Sequence, residues 1–159
     1  MPFDEYVDEH GDDLLRFAYL LTGDPHLAED LTQTVLFTAY RKWRRVAAAD
    51  HPHAYVRKML VNAHADWHRK RSSSELPTDP HTPMTRTEVS PVDETGATDA
   101  RDELRHLLAG LSPRARTVLV LRYYLDLDDK AAGELLGVAP STVRATAARA
   151  LATLRAGRP

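Results

Sequence analysis

The stretch DDKAAGELLGVAPSTVRATAARALATL, residues 128–154, decides the fold. An apolar-periodic segment from Asp128 to Leu136 stops at Gly137, and a second begins near Pro140 with Val143, Ala147, Ala150 and Leu154 at helical spacing. A short helix, a tight turn containing glycine and a longer basic helix make a helix-turn-helix, the arrangement that lays its second helix in a DNA major groove. On that helix Ser141, Thr142, Arg144, Ala145, Ala148 and Arg149 fall opposite the apolar stripe. An ordinary helical hairpin has similar spacing, so the DNA-binding reading rests on pattern and positive charge together.

Working outward, Leu104, Leu107, Leu108 and Leu111 form one apolar face, and Ser112-Pro113 is a capping residue followed by proline at the first helical position, ahead of Val118, Leu119, Leu121 and Leu125. The N-terminal half is also helical. Leu14, Phe17, Ala18 and Leu21 share a face. Asp24-Pro25 opens a second helix with the stripe Ala28, Leu31, Val35, Ala39, and a third begins near His51-Pro52 with the stripe Val56, Leu60, Ala63, Trp67. Trp43 and Trp67 are expected in the core, Tyr40 and Tyr55 less clearly so. Between the halves, residues 72–97 hold four of the ten prolines and almost no large apolar side chain. As a flexible coil such a segment averages roughly 30 Å end to end and reaches two to three times as far. The predicted architecture is all-α, with two small helical domains, 1–73 and 98–159, joined by a linker, 74–97.

The chain has 159 residues and no cysteine, which excludes disulfides, thiolate metal sites and thiol nucleophiles. Its acidic N-terminus has no basic segment leading into an apolar run, and no stretch is long enough to span a bilayer, so the expected address is cytoplasmic, without a membrane. A net charge of −2 hides a segregation: residues 1–30 carry nine acids against Arg16, whereas residues 41–71 carry nine bases against Asp50 and Asp66, and the last twenty add four arginines and no acid. Two basic surfaces on a mildly acidic chain suit local binding of a polyanion. Charge alone fits equally well with solvated helix faces. The tyrosines and tryptophans interleaved with bases over 40–67 resemble the composition of a surface that stacks unpaired bases, and they also fit plain packing.

Catalytic constellations are not evident. His64 and His68 stand four apart, a spacing that lets two imidazoles share a metal. With no glutamate between them and no third ligand on that face, they are read as polar-face histidines beside a basic surface. His51-Pro-His53 has no evident partner set. No glycine-rich phosphate loop or nucleophile elbow occurs, so no catalytic residue, cofactor or metal is expected.

Several blocks together resemble a known family. Leu14-Leu-Arg-Phe-Ala-Tyr-Leu-Leu-Thr-Gly-Asp24, Ala28-Glu-Asp-Leu-Thr-Gln33, Tyr40-Arg-Lys-Trp43 and His53-Ala-Tyr-Val-Arg-Lys-Met-Leu-Val-Asn62 are similar to region two of the extracytoplasmic-function (ECF) sigma factors of bacterial RNA polymerase. Leu111-Ser-Pro-Arg-Ala-Arg-Thr-Val-Leu-Val-Leu-Arg-Tyr-Tyr124 and Glu134-Leu-Leu-Gly-Val-Ala-Pro-Ser-Thr-Val-Arg144 are similar to region four, and the closest likeness is to the actinobacterial SigE-type subgroup. The resemblance implies that region two binds the coiled coil of the polymerase largest subunit and melts the minus-ten promoter element. Region four then binds the minus-thirty-five duplex and the flap of the second-largest subunit. It implies polymerase contacts at Asp30 and Gln33, and a pocket for a flipped non-template base at the loop from Arg45 to His51 with Arg57, Lys58 and Asn62. Minus-thirty-five contacts fall to Ser141, Thr142, Arg144 and Arg149. An anti-sigma factor is a further partner class of the family. This chain departs from the family pattern at Ala145, Thr146 and Ala148, and at Ala139, where the family has a Ser or Thr cap.

Two other readings use the same residues. A stand-alone helix-turn-helix regulator would bind a palindromic site without polymerase, and a small helical enzyme using His64 and His68 would need a metal. The Asp30 to Gln33 block and the long linker favour the sigma reading.

Overall fold

The structure, a computed structural model, describes residues 1–74, 103 and 106–157, and they are helical with no strand among them. The predicted linker over 74–97 therefore lies outside the described residues, save Ser74, and so does Leu104. In the N-terminal half α1 spans Phe3–Thr22, α2 Pro25–Arg41, α3 Trp43–Ala47 and α4 Pro52–Ser74. After a helical turn over 106–109, α5 spans Pro113–Leu119, a π-helical turn Val120–Tyr124, α6 Asp129–Leu136 and α7 Pro140–Ala156.

Local chemistry sets most of these boundaries. Asp24 caps α2 by accepting from the backbone N–H groups of His26 (2.9 Å) and Leu27 (3.3 Å), with Pro25 at the first helical position. Ser112 and Asp128 do the same for α5 and α6 through Ala115 and Ala131. The sequence led to three N-terminal helices, but the structure has four. Lys42 breaks the ladder after α2, and Trp43–Ala47 winds one more short turn that buries Val46.

The two halves share one core. Tyr6, Leu14, Phe17 and Leu21 of α1, Leu31 and Val35 of α2 and Val56, Leu60 and Val61 of α4 join a cluster that continues into Leu108, Leu111, Val118, Leu121 and Val143. The stripes of α1 and α2 are buried as read, but α4 turns differently. Its buried face runs Val56, Leu60, Val61, His64, whereas Ala63 and Trp67 are only half-buried. Trp43 is likewise half-buried, its indole Nε1–H donating to the Met1 carbonyl at 2.9 Å.

His64 thus corrects its reading as a polar-face residue. It is 2% exposed, and its Nε2 lies 2.9 Å from Nε2 of His68, so one ring donates and the other accepts. The reason is helical phase: His64 follows Leu60 by one turn and enters the core with it. Burial, with the nearby His68 and Arg116 adding repulsion, depresses the His64 pKa from 6.5 to about 4. The unfolded chain therefore takes up this proton first, so the contribution is full above about pH 6.5 and is lost as pH falls toward 4. Between pH 7.5 and 5 the chain is expected to lose about 2 kcal/mol of stability through this group. Urea unfolding at the two pH values checks this, with His64→Gln expected to flatten the dependence.

Candidate functional site

Three exposed faces carry the residues singled out in the sequence. On α2, Asp30 and Gln33 are exposed on the side opposite the buried Ala28, Leu31, Val35 and Ala39. Between them and the helix end sits Phe37, 63% exposed, with the Arg41 guanidinium 5.9 Å from its ring centroid. An apolar ring flanked by a carboxylate, an amide and a guanidinium has the composition found in small protein-docking faces. Phe37 had not been singled out. Its signal was in the phase: at 100° per residue it lies half a turn from Ala28.

The second face is a hollow of about 480 Å³ where the start of α4 meets α1, lined among others by Tyr6, His10, Asp50, His51, His53 and Arg57. Of the predicted minus-ten residues, His51 and Arg57 line it. Arg45, on α3, and Lys58 and Asn62, one turn apart on α4, are exposed but lie outside its lining. His53, for which the sequence offered no partner, is held on both nitrogens. Its Nε2 is 2.7 Å from Asp13 Oδ2, and its Nδ1 is 2.9 Å from the Tyr6 hydroxyl. An ionised carboxylate only accepts, so Nε2 carries the proton and Nδ1 accepts from Tyr6. Burial lowers the His53 pKa, and Arg57 and His10 add to this against the pull of Asp13, which favours a neutral ring. Burial alone would raise the Asp13 pKa, but the hydrogen bonds from His53 and Tyr124 and the nearby charges outweigh it and hold the carboxyl below its usual value. The His10 ring stacks on His53 with centroids 4.4 Å apart. The wall is largely aromatic, with the Asp50 carboxylate and the Arg57 guanidinium beside it, and the Arg57 Nε is buried without a hydrogen-bond partner. Such a wall can stack a planar base while an arginine meets its phosphate.

The third face belongs to α7. Gly133 lets the turn close, since a Cβ there would stand 2.6 Å from the Val138 carbonyl oxygen. Ser141, Thr142, Arg144, Ala145, Ala148 and Arg149 are all exposed, as the spacing predicts, above buried Val143, Thr146, Ala147 and Ala150. At 100° per residue Arg144 and Arg149 lie about 140° apart, so they flank a strip of small side chains rather than sit at its centre. Arg144 Nε is 3.2 Å from Asp129 Oδ2, and the same carboxylate meets Arg122 Nε at 3.1 Å. Among the described residues no group of three or more His, Asp or Glu side chains converges as a metal site would require, and no helix is long and apolar enough to cross a membrane.

Comparison with known proteins gives these faces a family. Residues 6–74 match the sigma-70 region 2 family and residues 101–154 the sigma-70, region 4 family. The RNA polymerase sigma-E factor of Streptomyces coelicolor is 36% identical over 157 residues, which cover 98% of this chain and 85% of that protein. The sigma-E factor of Streptomyces avermitilis is also 36% identical, over 98% of this chain and 84% of its own length. The fold is shared with the sigma factor RpoE of Bartonella quintana, solved with the anti-sigma factor NepR, at a TM-score of 0.63 and 21% identity over 96% of this chain and 94% of that one. The chain belongs to the sigma-70 family of RNA polymerase sigma factors, in its ECF branch, and acts as an alternative sigma factor in transcription initiation.

Helix α7 starts at Ala139 in extended backbone geometry (φ −69°, ψ 148°) with no side-chain cap. Ala139→Ser is expected to stabilise the chain by about 1 kcal/mol, since the hydroxyl would accept an otherwise unpaired first-turn N–H. Thermal unfolding of the variant checks this.

Proposed function

We propose that the three faces divide the work of promoter recognition. Residues 1–73 form the unit that binds core polymerase and the minus-ten element, 98–159 the unit for the minus-thirty-five element, and 74–97 the link between them. Asp30, Gln33 and the adjoining Phe37 dock on the coiled coil of the polymerase largest subunit, with the ring as anchor and the carboxylate answering a basic partner. The hollow takes a base flipped from the non-template strand, with His51 and Arg57 at its wall and Arg45, Lys58 and Asn62 holding phosphates of the strand outside it. Ser141, Thr142, Arg144 and Arg149 meet the minus-thirty-five duplex, while the flap of the second-largest subunit holds the C-terminal unit. A regulator of the anti-sigma class is a third kind of partner. The chain itself catalyses nothing and works in the cytoplasm beside the polymerase.

The observation that carries this reading is the hollow: an aromatic wall, an arginine with an unused donor, and a position at the loop where the family resemblance puts the melted strand. Run-off transcription with purified core polymerase tests it. Specific transcripts are expected with the chain and none without it, and binding to a palindromic duplex in the absence of polymerase would instead favour the stand-alone regulator.

Two variants separate the faces. Asp30→Arg is expected to abolish co-purification with core polymerase at moderate salt, while leaving the helix content unchanged because the side chain is exposed. Retention of the complex would remove α2 from the interface. Arg144→Ala is expected to weaken transcription from all promoter sequences alike and to reduce the salt slope of duplex binding by roughly one, because Arg144 flanks the strip and meets phosphate. A loss confined to one base position would mean that it reads a base edge.

A further inference from the structure

A second hollow, of about 260 Å³, opens between the start of α5 and the second half of α7, lined among others by Ser112, Arg114, Thr146, Arg149 and Thr153, and by no carboxylate. Arg144, five residues before Arg149, already rests on Asp129. Arg114 and Arg149 are exposed and have no such counterion among the described residues. Two cations lining one hollow repel each other, and nothing in its wall offsets this. Thr146 gives an independent sign. The buried hydroxyls of Thr32 and Thr117 donate to the carbonyls of Ala28 and Pro113 at 2.7 and 2.9 Å, the usual outlet for a helical threonine. Thr146 is buried as deeply, at 8% exposure, yet its hydroxyl makes no hydrogen bond among the described residues, and it lines the hollow. A buried donor left without an acceptor is costly. The Ser112 hydroxyl accepts from the Ala115 N–H at 3.2 Å and keeps its own proton to give. Two guanidiniums and two hydroxyls without an acid suit a ligand that is anionic and offers only acceptor oxygens, as a phosphate does.

We propose that this hollow seats a backbone phosphate of the duplex held by α7, which makes Arg114 of α5 a DNA contact. The proposal rests on the sigma reading above and deepens its minus-thirty-five face. A helix with its side chains is about 10–12 Å across and the major groove is about 12 Å wide, so a helix that enters the groove turns its flanks to the phosphate walls. At 100° per residue Thr153 and Thr146 lie about 40° and 60° beyond Arg149, on the side away from Ala145 and Ala148. The hollow therefore borders the strip on the flank of Arg149, where one wall of the groove runs. Exposed ion pairs are weak singly, so a lone phosphate is held poorly, and the seat fills when α7 has already brought the strand to it. Duplex binding thus spans two helices, with Arg114 adding affinity and no sequence preference.

The test uses the full chain with core polymerase and promoter duplexes in which one phosphate at a time across the minus-thirty-five element is replaced by a neutral methylphosphonate. In the wild type a replacement at the seat is expected to weaken the complex by roughly two- to ten-fold, the range of one such contact. Arg114→Gln is expected to weaken binding to the unmodified duplex by a similar factor for every promoter sequence, to lower the salt slope by roughly one, and to become indifferent to that same methylphosphonate. Arg114→Lys, which keeps the charge, is expected to restore the slope. Because Arg114 is exposed, helix content and binding to core polymerase are expected to stay as in the wild type. An unchanged slope in Arg114→Gln, or a variant as sensitive as the wild type to every methylphosphonate, would overturn the proposal. So would saturable binding of inorganic phosphate to the chain alone with no effect of Arg114→Gln on duplex, which would make the hollow a site for a free anion. A wild type that forms no promoter complex with core polymerase would refute the sigma reading, and the slopes of the two chains on random duplex would then decide the seat by themselves.

Discussion

Beside the shared apolar core, a single guanidinium ties the two halves of the described structure together. Helix ends leave carbonyl oxygens without intrahelical partners, and the negative end of the helix dipole makes them receptive to a cation. Arg116 meets two such ends at once, Thr22 at the close of α1 and Leu108 in the turn that precedes α5. Burying a charge is expensive unless its donors are satisfied, and here the satisfaction comes from backbone on both halves. That anchoring joins α5 to the end of α1 and sets a cation near His64. Tight packing at Gly23 makes the anchor intolerant of any bulk on the α1 side.

The hollow shows how the N-terminal half uses its acidic and basic segments together. Asp13 comes from the acidic stretch and Arg57 from the basic one, and His53 stands between them. The carboxylate fixes the tautomer of the imidazole, and the imidazole Nδ1 in turn accepts a hydrogen bond from the Tyr6 hydroxyl, which orients the aromatic wall. Charge segregation along the chain is thus not a matter of solvation alone. It supplies the acceptor that orients the wall and the cation that stands beside it.

How far the sequence could be read depended on whether a feature was local. Capping at Asp24 and Ser112 and the stripes of α1, α2 and α7 are set by neighbours within a turn or two, and they were legible. Helix α4 was read correctly at Val56 and Leu60 but not beyond, because two phases fit its later residues and only packing against the rest of the chain selects Val61 and His64 over Ala63 and Trp67. Short-range rules also say nothing of α3, which exists because Val46 finds a core contact, or of the π turn at Val120–Tyr124, whose one-residue widening is set by what lies under it. The hollow was half legible: His51 and Arg57 were named, whereas Tyr6, Asp13 and His53 meet there from positions about forty residues apart. Phe37 was overlooked for a different reason, since an aromatic beside Leu36 reads as core until the helical angle is worked out.

Asp129 has a consequence for how the chain moves among DNA sites. Its carboxylate lies against Arg144 and Arg122 together, so the leading arginine of the α7 strip rests on an internal counterion until a phosphate displaces it. Non-specific attraction to duplex scales with the number of phosphates neutralised, and an arginine already partnered contributes less to it. Such restraint leaves the chain less time trapped on random duplex and more of it free to meet polymerase.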